Sequence, residues 1–302
     1  MWVGDDAAVI RVARDKMLFA TDAIVENVDF DLAYASGADI GYRALAVNAS
    51  DMAAMGGFPF HAVVTVGLRP DMELATFASV LDGLADAATE MRIAVVGGDI
   101  SRASELWVSV AMTGATDGDP VLRTGARVGD AICVTGSLGG SAGGLFALQK
   151  EIRGRDHAID EMIRRHLRPR PRIKEGLRLA SLGATSMIDV SDGFALDLWR
   201  LLTASQVGCI VEPATIPRDP GLEELEMMVA DSPAPLDLAL AGGEDFELLF
   251  TIHRDRYQEA KMILGEIGCP VTAVGEVTPG EKRLGDTPLQ GEDQGWDHLR
   301  GR

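Results

Sequence analysis

Carboxylates carry the clearest chemical signal in this sequence. Acids follow an apolar strand-like run or sit in a glycine turn in Gly4-Asp5-Asp6, Thr21-Asp22, Asn48-Ala49-Ser50-Asp51, Gly97-Gly98-Asp99 and Asp189-Val190-Ser191-Asp192. Gly242-Gly243-Glu244-Asp245 resembles them. Hard divalent cations need oxygen ligands, and Mg²⁺ commonly takes one or two carboxylates together with substrate phosphates. Glycine beside the acid lets a phosphate approach the backbone. Any one of these segments alone reads as a turn or N-cap acid. Taken together, with two Gly-Gly-acid turns, they point to a metal-dependent nucleotide site.

Gly136–Gly144 lacks the Gly-Lys-Ser/Thr of a P-loop and the G-x-G-x-x-G of a dinucleotide fold. It contains G-x-S-x-G around Ser141, the spacing of a hydrolase nucleophile elbow, but His253 and His298 are the late histidines weighed for a triad and neither sits in a motif. The simpler reading is a tight strand-to-helix turn whose N–H groups are free to hold a phosphate. Arg123 follows a polar stretch, Asp117–Pro120, where its spacing fits equally a guanidinium reaching a phosphate across a domain boundary and an ordinary surface arginine. The basic run from Arg164 to Lys174 reads as a solvated helix pair balancing an acidic surface.

Charge supports that preference. The 302 residues hold 46 Asp and Glu against 28 Lys and Arg, a formal net charge of −18. Such a field repels nucleic acid and anionic lipid, and it repels a nucleotide unless cations are bound as well. No apolar run is long enough to span a bilayer, and Met1–Asp6 has no basic start of a secretory signal, so a soluble cytoplasmic protein is expected. The three cysteines, Cys133, Cys209 and Cys269, lie far apart in apolar surroundings and read as small core residues, not as zinc ligands or disulfides.

The elements that must position these acids alternate. Strands are expected at 17–22, 61–68, 92–99 and 106–114, with helices at 40–55 and from Pro70 to about Met91. The second helix shows a stripe of Leu74, Phe77, Leu81, Leu84 and Ala88. After the linker, strands at 130–135, 185–190, 208–212, 246–252 and 271–277 are separated by helices. Two α/β domains follow, at 1–118 and 119–302, the first of α+β type.

In this order the segments resemble the thiamine-monophosphate kinase family, within the superfamily that includes aminoimidazole ribonucleotide synthetase. The matching text is Gly4–Val9, Thr21-Asp22, Ala44–Gly56, Gly97–Asp99, Arg123–Asp130, Val134–Gly136, His166–Arg172, Ile188–Gly193 and Leu240–Leu248, covering nearly the whole chain.

The resemblance implies a two-domain synthetase-like fold. Its first domain is a mixed sheet with helices on one face that pairs in a homodimer, and its second is an α/β domain completing the site. It implies direct, in-line transfer of the γ-phosphoryl group of ATP to thiamine monophosphate with several Mg²⁺ ions, and no nucleic-acid or membrane partner. Asp6, Thr21, Asp22, Asp51, Asp99, Asp189 and Asp192, with the backbone of Ala20, are then the metal ligands. Asp6, Gly98, Asp99, Arg123 and Ser191 contact ATP, and Asp51, Asp189 and Arg123 carry the chemistry. Glu244 and Trp296 line the acceptor site, together with Asp29, which stands where the family usually has a histidine and keeps open the alternative of a nucleotide-binding relative with a changed acceptor or lost kinase activity.

Overall fold

The computed structural model describes residues 8–12 and 15–290, and side chains from residue 16 onward. Asp6 and Trp296 lie outside the described residues. The first sheet takes β1 (Ala8–Val12), β2 (Asp15–Val25), β3 (Phe58–Leu68), β4 (Ala94–Arg102) and β5 (Trp107–Ala115) in the order β1-β2-β5-β3-β4. Its pairings are antiparallel except β3 with β4, which are joined through helix α2 (Leu74–Met91). Helix α1 (Gly37–Ala54) connects β2 to β3. It opens with a capping box in which the Ser36 hydroxyl accepts the Asp39 N–H and the Asp39 carboxylate accepts the Ser36 N–H. α1 is buried almost throughout and packs along α2 over one face of the sheet.

The second sheet takes β6 (Asp130–Thr135), β7 (Ala184–Asp189), β8 (Gly208–Val211), β9 (Leu248–His253), β10 (Val271–Thr278), β11 (Lys282–Leu284) and β12 (Thr287–Pro288), ordered β12-β11-β8-β10-β6-β9-β7. One core sets α6 (Phe194–Ser205) and α8 (Pro235–Ala241) against it through Phe194, Leu198, Leu202 and Ala239. Another sets α5 (Ile173–Ser181) and α9 (Tyr257–Glu266) against it through Leu179 and Leu264, and Ala53 and Ala54 at the end of α1 enter this second core. Helices α3 (Gly140–Gln149), α4 (His157–Leu167) and α7 (Gly221–Met228) share the core of the first sheet. α1 is therefore wedged between the layers and touches both.

Several expectations change. β2 runs past Asp22 to Val25, and Asp99 lies inside β4, so these acids do not end strands. The ladder carries them: Asp22 pairs with Val110, and Gly98 and Asp99 pair with Val64 and Thr65. The buried stripe of α2 is Val80, Gly83, Leu84 and Ala87, because that side meets α1, while Leu74 and Leu81 are exposed. β1, α8, β11 and β12 had no counterpart in the sequence reading, since each is short and weakly periodic. All three cysteines are buried and free, and burial pushes the Cys133 and Cys269 thiols up to about 12 and that of Cys209 to about 11. No described helix is long and apolar enough to cross a membrane.

Candidate active site

α1 reaches the C-terminal end of β7 through one short contact. Ser50 Oγ donates to Asp189 Oδ2 at 2.5 Å, and Asp189 is 2% exposed. Asp51 follows Ser50 on the same helix, partly buried. Beyond Asp189 the chain turns through Val190–Gly193 into α6. The fully buried Asp197, in the first turn of α6, accepts the N–H groups of Ser191 and Asp192 at 3.0 and 2.9 Å. Arg200, one turn on, pairs with Asp197 at 2.9 Å and with Asp192. This small network holds Ser191 and Asp192 in one geometry.

The segment 242–247 lies against that turn. Glu244 N–H donates to Ser191 O at 2.7 Å, Phe246 N–H to Val190 O at 2.9 Å, and Val190 N–H to Glu247 O at 2.8 Å. A Cβ on Gly243 would stand 2.5 Å from Ser191 O, so the close approach requires glycine. Glu244 and Phe246 both take positive φ, 66° and 51°, a conformation that stores strain in residues bearing a side chain.

The acids of this segment then diverge. Glu244 pairs with Arg43 of α1. Asp245 is turned inward and accepts the N–H groups of Gly139 and Ser141 at 2.6 and 3.0 Å. Burial lifts its carboxyl to about 7 against the opposing pull of Arg165 and those two N–H groups. Glu247, 1% exposed, takes Arg172 on both oxygens, with Nε at 2.7 Å and Nη2 at 2.5 Å, and Thr135 Oγ1 at 2.7 Å.

This geometry corrects two sequence readings. Two of the N–H groups at the start of α3 expected to be free for a phosphate, those of Gly139 and Ser141, are occupied by Asp245. The basic run is only in part a solvated face: Arg164, Arg170 and Lys174 are exposed, but Arg165 reaches Asp219, Ser137 and Glu247, Arg172 holds Glu247, and Arg168 pairs with Asp39 at 2.7 Å. The G-x-S-x-G serine has a histidine neighbour that the sequence reading missed, with Ser141 Oγ 3.1 Å from His166 Nδ1. Ser141 is 1% exposed and His166 2%. Burial and the adjacent Arg43 push the imidazole down to about 4, opposed by Glu244. A sealed serine beside such a weak base has no access to an acyl substrate.

On the first sheet, Thr21 Oγ1 donates to Val110 O at 2.9 Å and Asp22 is exposed. Ala20, on the same strand, is buried. Asp22, Val110, Val64 and Gly98 form one cross-strand row, with Asp99 in the next. Alternation along the strands turns adjacent rows to opposite faces of the sheet. Asp29 accepts the Val25 N–H at 2.8 Å and so serves its own loop. Arg123 is partly exposed, and its carbonyl accepts Ser205 Oγ at 2.8 Å.

A groove of about 780 Å³ opens between α2 and β4, lined by Val64, Val66, Leu81, Leu84, Val95 and Ile100 together with Gly98 and Asp99. Leu81, Leu84 and Ala88 of the α2 apolar stripe line it. The sequence reading missed this groove, along with Arg43, His166, Asp197 and Arg200. The periodicity of α2 held a signal for the groove, being wider than a buried stripe needs.

The candidate metal ligands are all oxygens, which suits a hard divalent cation, and Asp189 brings a deeply buried carboxylate to the α1–β7 seam. Among the described residues no three His, Cys, Asp or Glu side chains are gathered as a ready cage. Mg²⁺ usually keeps several waters and substrate phosphates among its ligands, so a preformed all-protein cage is not required.

Residues 4–116 match the N-terminal domain family of AIR synthase related proteins, and residues 127–285 match the corresponding C-terminal domain family. The thiamine-monophosphate kinase of Rhodopirellula baltica is 38% identical over 91% of this chain and 82% of its own length. That of Bacillus subtilis is 32% identical over 99% and 93%. The structure of AaThiL complexed with AMPPCP and TMP aligns with a TM-score of 0.89 at 32% identity, covering 98% of this chain and 91% of that one. The HypE–HypF complex, at 17% identity and a TM-score of 0.74, shares the fold alone. With both domain families matched in order and kinases of this kind similar over nearly its full length, the chain belongs to the thiamine-monophosphate kinase family of AIR synthase related proteins.

Proposed function

We propose that this chain transfers the γ-phosphoryl group of ATP to thiamine monophosphate, giving thiamine diphosphate. The observation that carries the reading is the alignment of 98% of the chain, at a TM-score of 0.89, with AaThiL bound to AMPPCP and TMP. The acceptor oxygen belongs to a phosphate monoester whose second pKa is about 6, so at neutral pH it is already largely deprotonated. No general base is needed, and what remains is to align two polyanions and neutralise their charge.

Arg123 is assigned to the transferring phosphate, and Gly98, Asp99 and Ser191 to ATP. The α2–β4 groove offers apolar walls to the flat face of the base while its Gly98 and Asp99 meet the phosphates. Several Mg²⁺ ions would be held by Asp6, Asp22, Asp51, Asp99, Asp189 and Asp192 with Thr21 and the Ala20 carbonyl, Asp22 and Asp99 serving different ions because they face opposite sides of the first sheet, and when bound they would offset phosphate charge. Glu244, Trp296 and Asp29 are assigned to the acceptor, with a carboxylate and an aromatic face suited to a cationic thiazolium.

We further infer a division at 1–118 and 119–302, a cytoplasmic setting and a homodimer. Phe19, Phe60 and Val63 are exposed on the first sheet, and exposed apolar side chains on a sheet suit a second copy of the chain.

The direct test is incubation with ATP, Mg²⁺ and thiamine monophosphate, with product read as thiochrome fluorescence after oxidation and separation. Thiamine diphosphate that disappears with EDTA is the expected result. ATP binding without any thiamine diphosphate would replace this reading with a different acceptor.

A further inference from the structure

Arg43 is a buried cation that crosses from the first layer of the molecule to the second. It sits on α1, 3% exposed, two turns before Ser50 and Asp51 on the same side of the helix. Its Nη1 donates to the carbonyl of His166 at 2.8 Å, and its Nη2 pairs with Glu244 Oε1. The other carboxylate oxygen, Oε2, lies 3.6 Å from His166 Nδ1. The Glu244 backbone is pinned separately, by its positive φ and its bond to Ser191 O. Its side chain is nevertheless 33% exposed, so it is gripped from behind and open in front.

We propose that Arg43 is the positioning residue of the acceptor site: it fixes the Glu244 carboxylate in one orientation toward a cationic heterocycle. The inference rests on Glu244 facing the acceptor, as assigned above. Arg43 is too buried to touch substrate itself. A guanidinium suits the task because its planar fork serves the His166 carbonyl and the carboxylate together, which a single ammonium cannot. The neighbouring imidazole, held neutral at physiological pH, adds no competing charge. The same helix carries Asp51 eight residues further on, about 12 Å at 1.5 Å per residue. One rigid element thereby sets the carboxylate at the ring end and an acid assigned to the phosphoryl end.

The test uses the full chain with Arg43→Met, Arg43→Lys, Glu244→Gln and the double variant Arg43→Met/Glu244→Gln. KM for thiamine monophosphate and for ATP are measured separately, with melting temperature alongside. Arg43→Met is expected to raise the acceptor KM about tenfold or more, the scale of one charged hydrogen bond, and to leave the ATP KM within about twofold. Arg43→Lys, which keeps the charge but not the fork, should recover only part of that loss, and the double variant should be no worse than the worse single variant, because the residues act as one unit.

An unchanged acceptor KM in Arg43→Met, or an equal rise in both KM values, overturns the proposal, as does additivity in the double variant. If Glu244→Gln itself leaves the acceptor KM unchanged, it is the assignment of Glu244 that fails. Should Arg43→Met not fold, Arg43→Lys alone and combined with Glu244→Gln carries the same test, and additive effects again overturn it.

Discussion

Asp189 and Ser50 show how one hydrogen bond links two domains at the point where chemistry is expected. Ser50→Ala removes a contact to a buried carboxylate, typically worth about 1.5–3 kcal/mol, so kcat/KM should fall roughly ten- to hundredfold with the fold intact. Asp189→Ala should reduce turnover by about a thousandfold or more without changing the circular dichroism spectrum; near-normal turnover would remove Asp189 from the assigned ligands. Asp245 makes a different prediction. Its folded carboxyl is raised to about 7 from an ordinary 3.8. Between these values the native state binds more protons than the unfolded chain, so this group's contribution to stability declines as pH rises from about 4 to about 7 and is flat above. Asp245→Asn removes that decline, so the difference in melting temperature between variant and parent should change across this window and be constant beyond it.

The elements carry the second set of lessons. α2 was legible as a helix from its apolar spacing, but the side it buries was not, because α1 selects Val80, Gly83, Leu84 and Ala87 and leaves Leu81 facing the groove. Leu81→Glu places a charge on that wall at a position already 46% exposed. The fold should tolerate it, while the ATP KM rises about tenfold or more through charge repulsion and a lost apolar contact and the acceptor KM stays put. The break between α4 and α5 is likewise more than a proline stop. Arg172, just after it, neutralises the buried Glu247. Arg172→Ala leaves that carboxylate to Arg165, at 3.2 Å, and Thr135, and the loss of charged hydrogen bonding typically costs about 3 kcal/mol. At roughly 2–4 °C per kcal/mol for a chain of this size, the melting temperature should fall by about 10 °C.

At the scale of the molecule, two sheets are joined through a helix that belongs to both cores. Ala53 and Ala54 pack under the second sheet while Leu45 and Ala49 pack under the first. Domain boundaries drawn from composition therefore mark where the chain passes between sheets, not where packing stops. The exposed face of the first sheet makes a prediction of its own. Val63→Glu, at a residue 45% exposed, should convert a homodimer to monomers on size-exclusion chromatography with light scattering, since it sets like charges across a two-fold interface. A parent that already elutes as a monomer would remove the dimer from the proposal.

Periodicity, turn residues and the order of the acidic segments were enough to place nearly every long element, to predict oxygen-ligand chemistry and to suggest the family. These signals are local, set by neighbours two to four residues apart and by backbone preferences. Short elements such as β1 and β12 escaped, because so few residues establish no period. Partnership escaped for a different reason. Whether Glu244, Asp245 and Glu247 point at a substrate, a helix start or an arginine depends on residues 75 to 201 positions away, and no spacing within the segment encodes it. Burial decided the rest. It turned a hydrolase-like serine into a core contact and half of a basic run, Arg165, Arg168 and Arg172, into ion pairs between elements, because an ionised group removed from water is tolerated only beside the particular partner the fold brings to it.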